Sequence, residues 1–389
     1  MNPSTIRTYP FIFLMSLCIA ILVMHHTIGS ITHLSSISTF VAMLSIGFVL
    51  IIREVCTINK LFLTYIGYLG FTLLILDPPS IFSPWMRFML FIGVLVIASP
   101  LFQNTFLQIF RQYCLYSILA ICIIVSIISF IFFFMGINFM DYTANLDFAE
   151  KGGLFGGLAN HSIILGIVSG ISICTLLYLG ITKKWLWLTL LIPCIGSLLF
   201  SASRGAIGAS IAGVIAILIA YSRHSNSRTK IWLLLLIAIP SLAYIANNTS
   251  VTDGITSKST DRSSSLIESR EDKINYRIEE FKESPIIGIG FSTISTVGGD
   301  EIDKHSGRIE PGSSWFSLLS MTGIIGLIFF ICIIYRCLKQ QISNNSTHSI
   351  LLIGLIGFFI VSLFSEGYIF AAGSPLCFTL WLLIGNCFD

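Results

Sequence analysis

Arg204, in the stretch Ser201-Ala202-Ser203-Arg204-Gly205-Ala206, stands at a tight turn between two long apolar runs. A guanidinium there is permanently charged and suited to bidentate phosphate contacts. Gly205 and Gly208 thin the start of the next segment, so a ligand can approach the backbone. The same position also suits an arginine that snorkels at a membrane interface. Glu366, in Phe364-Ser365-Glu366-Gly367-Tyr368, is the one acidic residue between Glu310 and Asp389. It could take a proton as a general base, pair with an arginine, or be the polar tip of a helix hairpin.

A third group lies between residues 247 and 312, a stretch with twelve of the nineteen acidic residues and eight of the twenty-two basic ones. Ser265 with Glu268 is a capping-box signature, and Ser284-Pro285 is a stop. Between them the spacing predicts a helix over 266–283, with Ile267, Ile274, Ile278 and Phe281 on one face. At about 100° per residue, Arg270, Arg277 and Lys273 form a cationic ridge beside that stripe, and Glu268, Asp272, Glu279 and Glu283 point away. Such a helix can lie across the mouth of a bundle with its ridge toward a cavity, or be a solvated helix with internal ion pairs.

The Gly-rich stretch 288–312 adds Asp300, Glu301, Asp303, His305, Arg308 and Glu310. One His among scattered acids makes a solvated loop a better reading than a metal site, so no metal is expected. His161 and Asn160 follow Gly152-Gly153-Leu154-Phe155-Gly156-Gly157, which lacks the Lys-Ser/Thr of a phosphate loop and is no nucleotide cradle. His25 and His26 either line a cavity or cap the first apolar run.

The elements that must position these residues are membrane helices. The 389 residues are 55% hydrophobic and 11% charged, with mean hydropathy +0.89. A soluble domain is about 25% charged, so an ordinary cytosolic enzyme is excluded, as are a disordered chain and a disulfide scaffold. The ten cysteines have no paired metal spacing and read as small packing residues. Net charge +3 is too small to imply a nucleic-acid partner. Apolar runs fall at roughly 10–28, 36–52, 61–77, 87–102, 113–135, 161–181, 185–202, 205–222, 230–246, 313–335, 349–365 and 368–386, each near or above the length of a span. The first reads as a retained span rather than a cleaved signal. The expected fold is therefore all-α: a polytopic bundle of about twelve spans. Residues 1–246 supply nine of them, 247–312 the large outer loop with its amphipathic helix, and 313–389 the last three. With the N-terminus inside, eleven Lys/Arg fall on the cytoplasmic side and three (Arg87, Lys151, Arg204) in short outer loops, a positive-inside bias.

Three motifs recur in this layout: Ser203-Arg204-Gly205-Ala206; Tyr276-Arg277 followed by Ser284-Pro285-Ile286-Ile287-Gly288-Ile289-Gly290; and Trp315-Phe316-Ser317-Leu318-Leu319 with Thr322-Gly323-Ile324-Ile325-Gly326. In their order, and in the loop before the tenth span, the chain resembles the O-antigen ligase and polymerase superfamily. The resemblance implies a GT-C-like membrane glycosyltransferase in the bacterial inner membrane, working at the periplasmic face. Its substrate would be an oligosaccharide on undecaprenyl pyrophosphate, with membrane lipid around it and a chain-length regulator and a flippase as partners. It implies no cofactor. Arg204 and Arg277 would stabilise the pyrophosphate leaving group, with Glu366, His305 or Glu310 as base and Arg270, Lys273, Arg308, His161 and Asn160 as substrate contacts. Ligases of this family carry a His eleven residues before the first Gly of the third motif; here that position is Gly312. The departure favours a polymerase over a ligase acting on a lipid A-core. A transporter or flippase of a lipid-linked substrate is the reading from another class, but no internal repeat is visible and the notable charges gather on one side.

Overall fold

The computed structural model describes residues 9–28, 36–79, 82–140, 155–224, 263–295, 312–344 and 346–389, with the backbone alone for 36–37, 224 and 263–272. Helices dominate: α1 (Pro10–Met24), α2 (Ser36–Ile52), α3 (Lys60–Leu76), α4 (Pro84–Ala98), α5 (Thr105–Met135), α6 (Ser162–Thr182), α7 (Leu191–Phe200, led by a 3-10 turn Trp185–Leu190), α8 (Arg204–His224), α9 (Ser263–Glu283), α10 (Ser314–Ser343), α11 (Thr347–Ser365) and α12 (Pro375–Phe388). Among the described residues six helices are long and apolar enough to cross a membrane, and five shorter apolar helices accompany them. This is an all-α polytopic architecture. The apolar run at 230–246 lies outside the described residues.

Local sequence explains where the helices begin. Asn59 and Asn104 accept backbone N–H bonds at the starts of α3 and α5, and His161, Ser346 and Ser374 do so for α6, α11 and α12. Proline occupies the first turn of α1, α4 and α12, where its missing N–H leaves no intrahelical bond unmade. Small residues then set the closest helix contacts. Gly213 faces the Gly354 carbonyl, and Gly354 and Gly357 face Ile217 and Ala216, bringing α8 against α11 as small residues do in membrane bundles.

The hub of the core is α12. Its Trp381 is fully buried and meets Phe62, Tyr65, Phe91 and Phe330 from three other helices. The sequence puts a span at 368–386, but α12 begins only at Pro375. Residues 366–374 are non-helical because Ser314 ties them down: its hydroxyl donates to the Glu366 carbonyl and accepts from the Tyr368 N–H. At the end of the bundle opposite Arg204, Arg111 is fully buried rather than a surface charge. It donates to the carbonyls of Ile97 and Phe102 and to the Asp389 carboxylate at 3.0 Å. A short strand pair, Thr57–Ile58 with Phe102–Gln103, lies beside it.

Candidate functional site

The second and third motifs form one joint. Gly323 breaks α10 with φ 62°, which leaves backbone groups of that helix open. Segment 284–290 lies along the break and fills them. Ile289 and Gly290 N–H donate to the Ser320 and Met321 carbonyls, and Ile324 N–H donates to the Pro285 carbonyl. A Cβ on Gly323 would overlap the Ile286 carbonyl, and one on Gly288 (φ 76°) would overlap the Met321 backbone, so both positions require glycine. Tyr68 of α3 seals the joint by donating to the Thr322 carbonyl at 2.6 Å.

Above the joint sits α9, as expected over 266–283, but its buried face differs from expectation. Ile274, Ile278 and Phe281 are only half-buried, while Arg277 and Glu280 are 2% and 1% exposed. Arg277 Nη1 meets Glu280 Oε2 at 2.8 Å and also donates to the Thr293 carbonyl and the Ser320 hydroxyl, both at 3.3 Å. Glu280 Oε1 accepts from the Ser295 N–H at 2.8 Å, and the Tyr276 hydroxyl donates to the Ser295 carbonyl. Burial and the neighbouring Glu280 push the Tyr276 phenol above its ordinary value, so it stays a donor. Arg277 thus clasps α9 to α10 and to 293–295. Its Nη2 is buried without a hydrogen-bond partner among the described residues.

The first motif reaches α10 from the other side. Ala202 (φ 49°) makes the turn, and Arg204 opens α8 with its side chain exposed. A cation at a helix N-terminus works against the helix dipole, so this arginine adds no helix stability. Together with the free N–H groups of the first turn it creates a positive patch suited to an anion. Gly205 packs on Ser365, the residue before Glu366. Glu366 is half-buried, and its N–H and carbonyl bond to Ser362 and Ser314. The Arg204 turn is therefore linked to Ser314 only through 365–366, whereas the Arg277 clasp bonds Ser320 directly; the two serines stand about 9 Å apart along one helix at 1.5 Å per residue.

Between these attachments lies a cavity of about 320 Å³, lined by Arg87, Ser292, Ser317, Met321 and the turn 367–374 (among others Gly367, Phe370 and Ser374). Arg87 Nη1 donates to the Ser292 hydroxyl at 3.4 Å, and Ser292 holds a left-handed φ of 56°. Neither Arg204 nor Arg277 lines it.

The remaining expected contacts divide. Lys273 is half-buried, its stem 3.1 Å from where a Cβ on Gly312 would stand. Asn160 donates to the His26 carbonyl and its N–H to the Thr27 carbonyl, so it fastens loop 25–28 to the start of α6. His161 is the exposed N-cap of α6, accepting from the Ile163 N–H at Nδ1. The side chain of Arg270, and His305, Arg308 and Glu310, lie outside the described residues. No group of three His, Cys, Asp or Glu that could hold a metal occurs among the described residues. Sequence reasoning missed Glu280, although its i,i+3 spacing from Arg277 signals a pair. It also counted Arg87 only as an outer charge. No local signal marks Ser292, Ser317 and Ser374, which come together only in the fold.

Fold and site together define a polytopic helical membrane protein with a cationic, serine-lined site at one end of its bundle. Residues 188–331, from the turn before α7 into α10, match the model of a family described as O-antigen ligase. That segment contains all three motifs, so the match agrees with the resemblance to the O-antigen ligase and polymerase superfamily and supports an activity of that type on a lipid-linked glycan. No curated protein and no solved structure matches the chain.

Proposed function

We propose that the protein is a surface-polysaccharide polymerase of the bacterial inner membrane. It transfers a glycan from undecaprenyl pyrophosphate to the next lipid-linked repeat unit at the periplasmic face. The observation that carries this reading is the joint of the second and third motifs on the first turns of α10, beside a cavity with a cationic wall, with the first motif packed on Ser365 next to the segment that α10 holds. In the transfer, an acceptor hydroxyl attacks the anomeric carbon as the bond from that carbon to the diphosphate oxygen breaks. Charge grows on the leaving diphosphate, and Arg204 stabilises it more in the transition state than in the ground state. Glu366, on the turn beside Arg204, takes the hydroxyl proton. Chain-length regulator and flippase partners follow from the same reading.

Gly312 supports polymerase over ligase. The family's ligases carry a His there; in this chain the position has φ 69° and its Cβ direction points at Lys273, so any L side chain would be strained. The test is disruption of the gene with surface glycans resolved on a gel. Loss of a polymerase leaves single-repeat caps. Complete loss of caps supports the ligase, and an unaltered profile sinks both. Turnover of purified lipid-linked repeats with and without a chelator tests metal independence.

A further inference from the structure

A polymerase must hold two carrier-linked chains at once, and the molecule has cations on two sides of one turn. Ser365 faces the Arg204 turn, whereas Gly367 and the residues up to Ser374 face Arg87. The segment from Ser365 to Ser374 therefore touches the Arg204 turn at its start and the Arg87 cavity along the rest, and Arg204 does not line that cavity.

The Arg87 side is built for an amphiphile. Its polar part holds the guanidinium and the hydroxyls of Ser292 and Ser374, with Ser317, whose hydroxyl donates to the Ser313 carbonyl, in the wall. A second cavity of about 80 Å³ shares the wall formed by Leu90 and 372–374 and continues to Val23, Phe40, Met43 and Phe378. Phe40 and Met43 belong to α2, whose other face exposes Val41 and Phe48. A phosphate at Arg87 would thus leave its lipid tail against an apolar lobe that leads to the lipid-facing side of α2.

We propose that the Arg87 cavity and its apolar lobe form a second, separate subsite that holds the phosphate head and first tail segment of the acceptor's polyprenyl carrier. The assignment of acceptor rather than donor rests on the polymerase reading above. Arg204, on the far side of the turn, holds the donor.

The test is native mass spectrometry of the full chain in detergent with geranylgeranyl phosphate as probe. The wild type should bind two copies. Arg87→Gln and Arg204→Gln should each bind one, with affinity at the altered site reduced roughly tenfold or more, and Arg87→Lys should recover part of it. Met43→Phe, which fills the apolar lobe with Arg87 intact, should also bind one. Melting temperature tracks folding in each variant. Two copies in Arg87→Gln at wild-type affinity would overturn the subsite, as would a single copy in the wild type. Equal binding of uncharged geranylgeraniol would show that no phosphate is read. Full competition by inorganic pyrophosphate would show that no lipid is read. Copies lost one at a time, in a protein that elongates no glycan, would instead sink the polymerase reading and leave the subsite standing.

Discussion

Arg204 and Arg277 are alike in charge and opposite in setting, and their substitutions should separate them. Arg204 is exposed at a helix N-terminus, and no stabilising role follows from its place. Charge-assisted bonds to the leaving group contribute roughly 1.5–3 kcal/mol, so Arg204→Ala should slow turnover by roughly 10- to 150-fold. Melting temperature should be unchanged, and Arg204→Lys should recover only part of the rate because it lacks the planar fork. Polymer length on purified lipid-linked repeats measures this; wild-type polymer from the alanine variant would remove the role. Arg277 is buried against Glu280, so removing either partner strands a buried charge. Glu280→Ala should lower stability by about 3–5 kcal/mol, read as thermal unfolding in detergent. Joint replacement by Arg277→Met and Glu280→Leu should lower it much less. If Glu280→Ala melts like the wild type, the clasp is not what holds α9.

At the scale of elements, the joint between 284–290 and the break in α10 explains why glycines recur at fixed places in two motifs far apart in sequence. Gly288→Ala and Gly323→Ala each force an L side chain into a positive-φ conformation, at roughly 1–3 kcal/mol, before the overlap with facing backbone is added. Both should lower melting temperature and detach α9, lengthening the reach of proteolysis at 284–290. Gly67→Ala in α3 is the control. A Cβ there meets nothing within 4 Å, and helix propensity favours alanine by roughly 1 kcal/mol, so stability should hold or rise slightly. Equal melting of Gly67→Ala and Gly288→Ala would show that the joint carries no strain.

For the whole molecule the basic residues set orientation. Reporter fusions at Lys184 and Lys339 should read cytoplasmic and one at Ser263 periplasmic, since the twelve-span reading puts eleven Lys/Arg inside against three in the short outer loops. A cytoplasmic signal at Ser263 would turn the bundle over and move the site to the wrong face for a lipid-linked periplasmic substrate. The buried Arg111 tempers the count without reversing it, because in the same reading ten basic residues remain inside once it is set apart.

What the sequence by itself determined is what local chemistry encodes. Apolar runs of spanning length fixed the all-α bundle, Ser284-Pro285 fixed the end of α9, which begins at Ser263 ahead of the Ser265 capping box, and Ser203-Arg204-Gly205 fixed an exposed cation at a turn. Each depends on residues within a few positions, where backbone geometry dictates which side chains share a face. The tertiary structure decided everything that needs distant segments to meet. It turned the apolar stripe of α9 half outward and buried Arg277 with Glu280, whose charges are met there by each other and by bonds to 293–295 and Ser320. It left the first residues of the expected last span, 368–374, unwound, because Ser314, some fifty residues earlier, holds the backbone at 366–368. And it made a cavity from Arg87, Ser292, Ser317 and Ser374, residues of four separate segments. No periodicity carries such a meeting: hydrophobic pattern reports burial along one element, while a polar cavity depends on which elements pack together and how closely their backbones can approach.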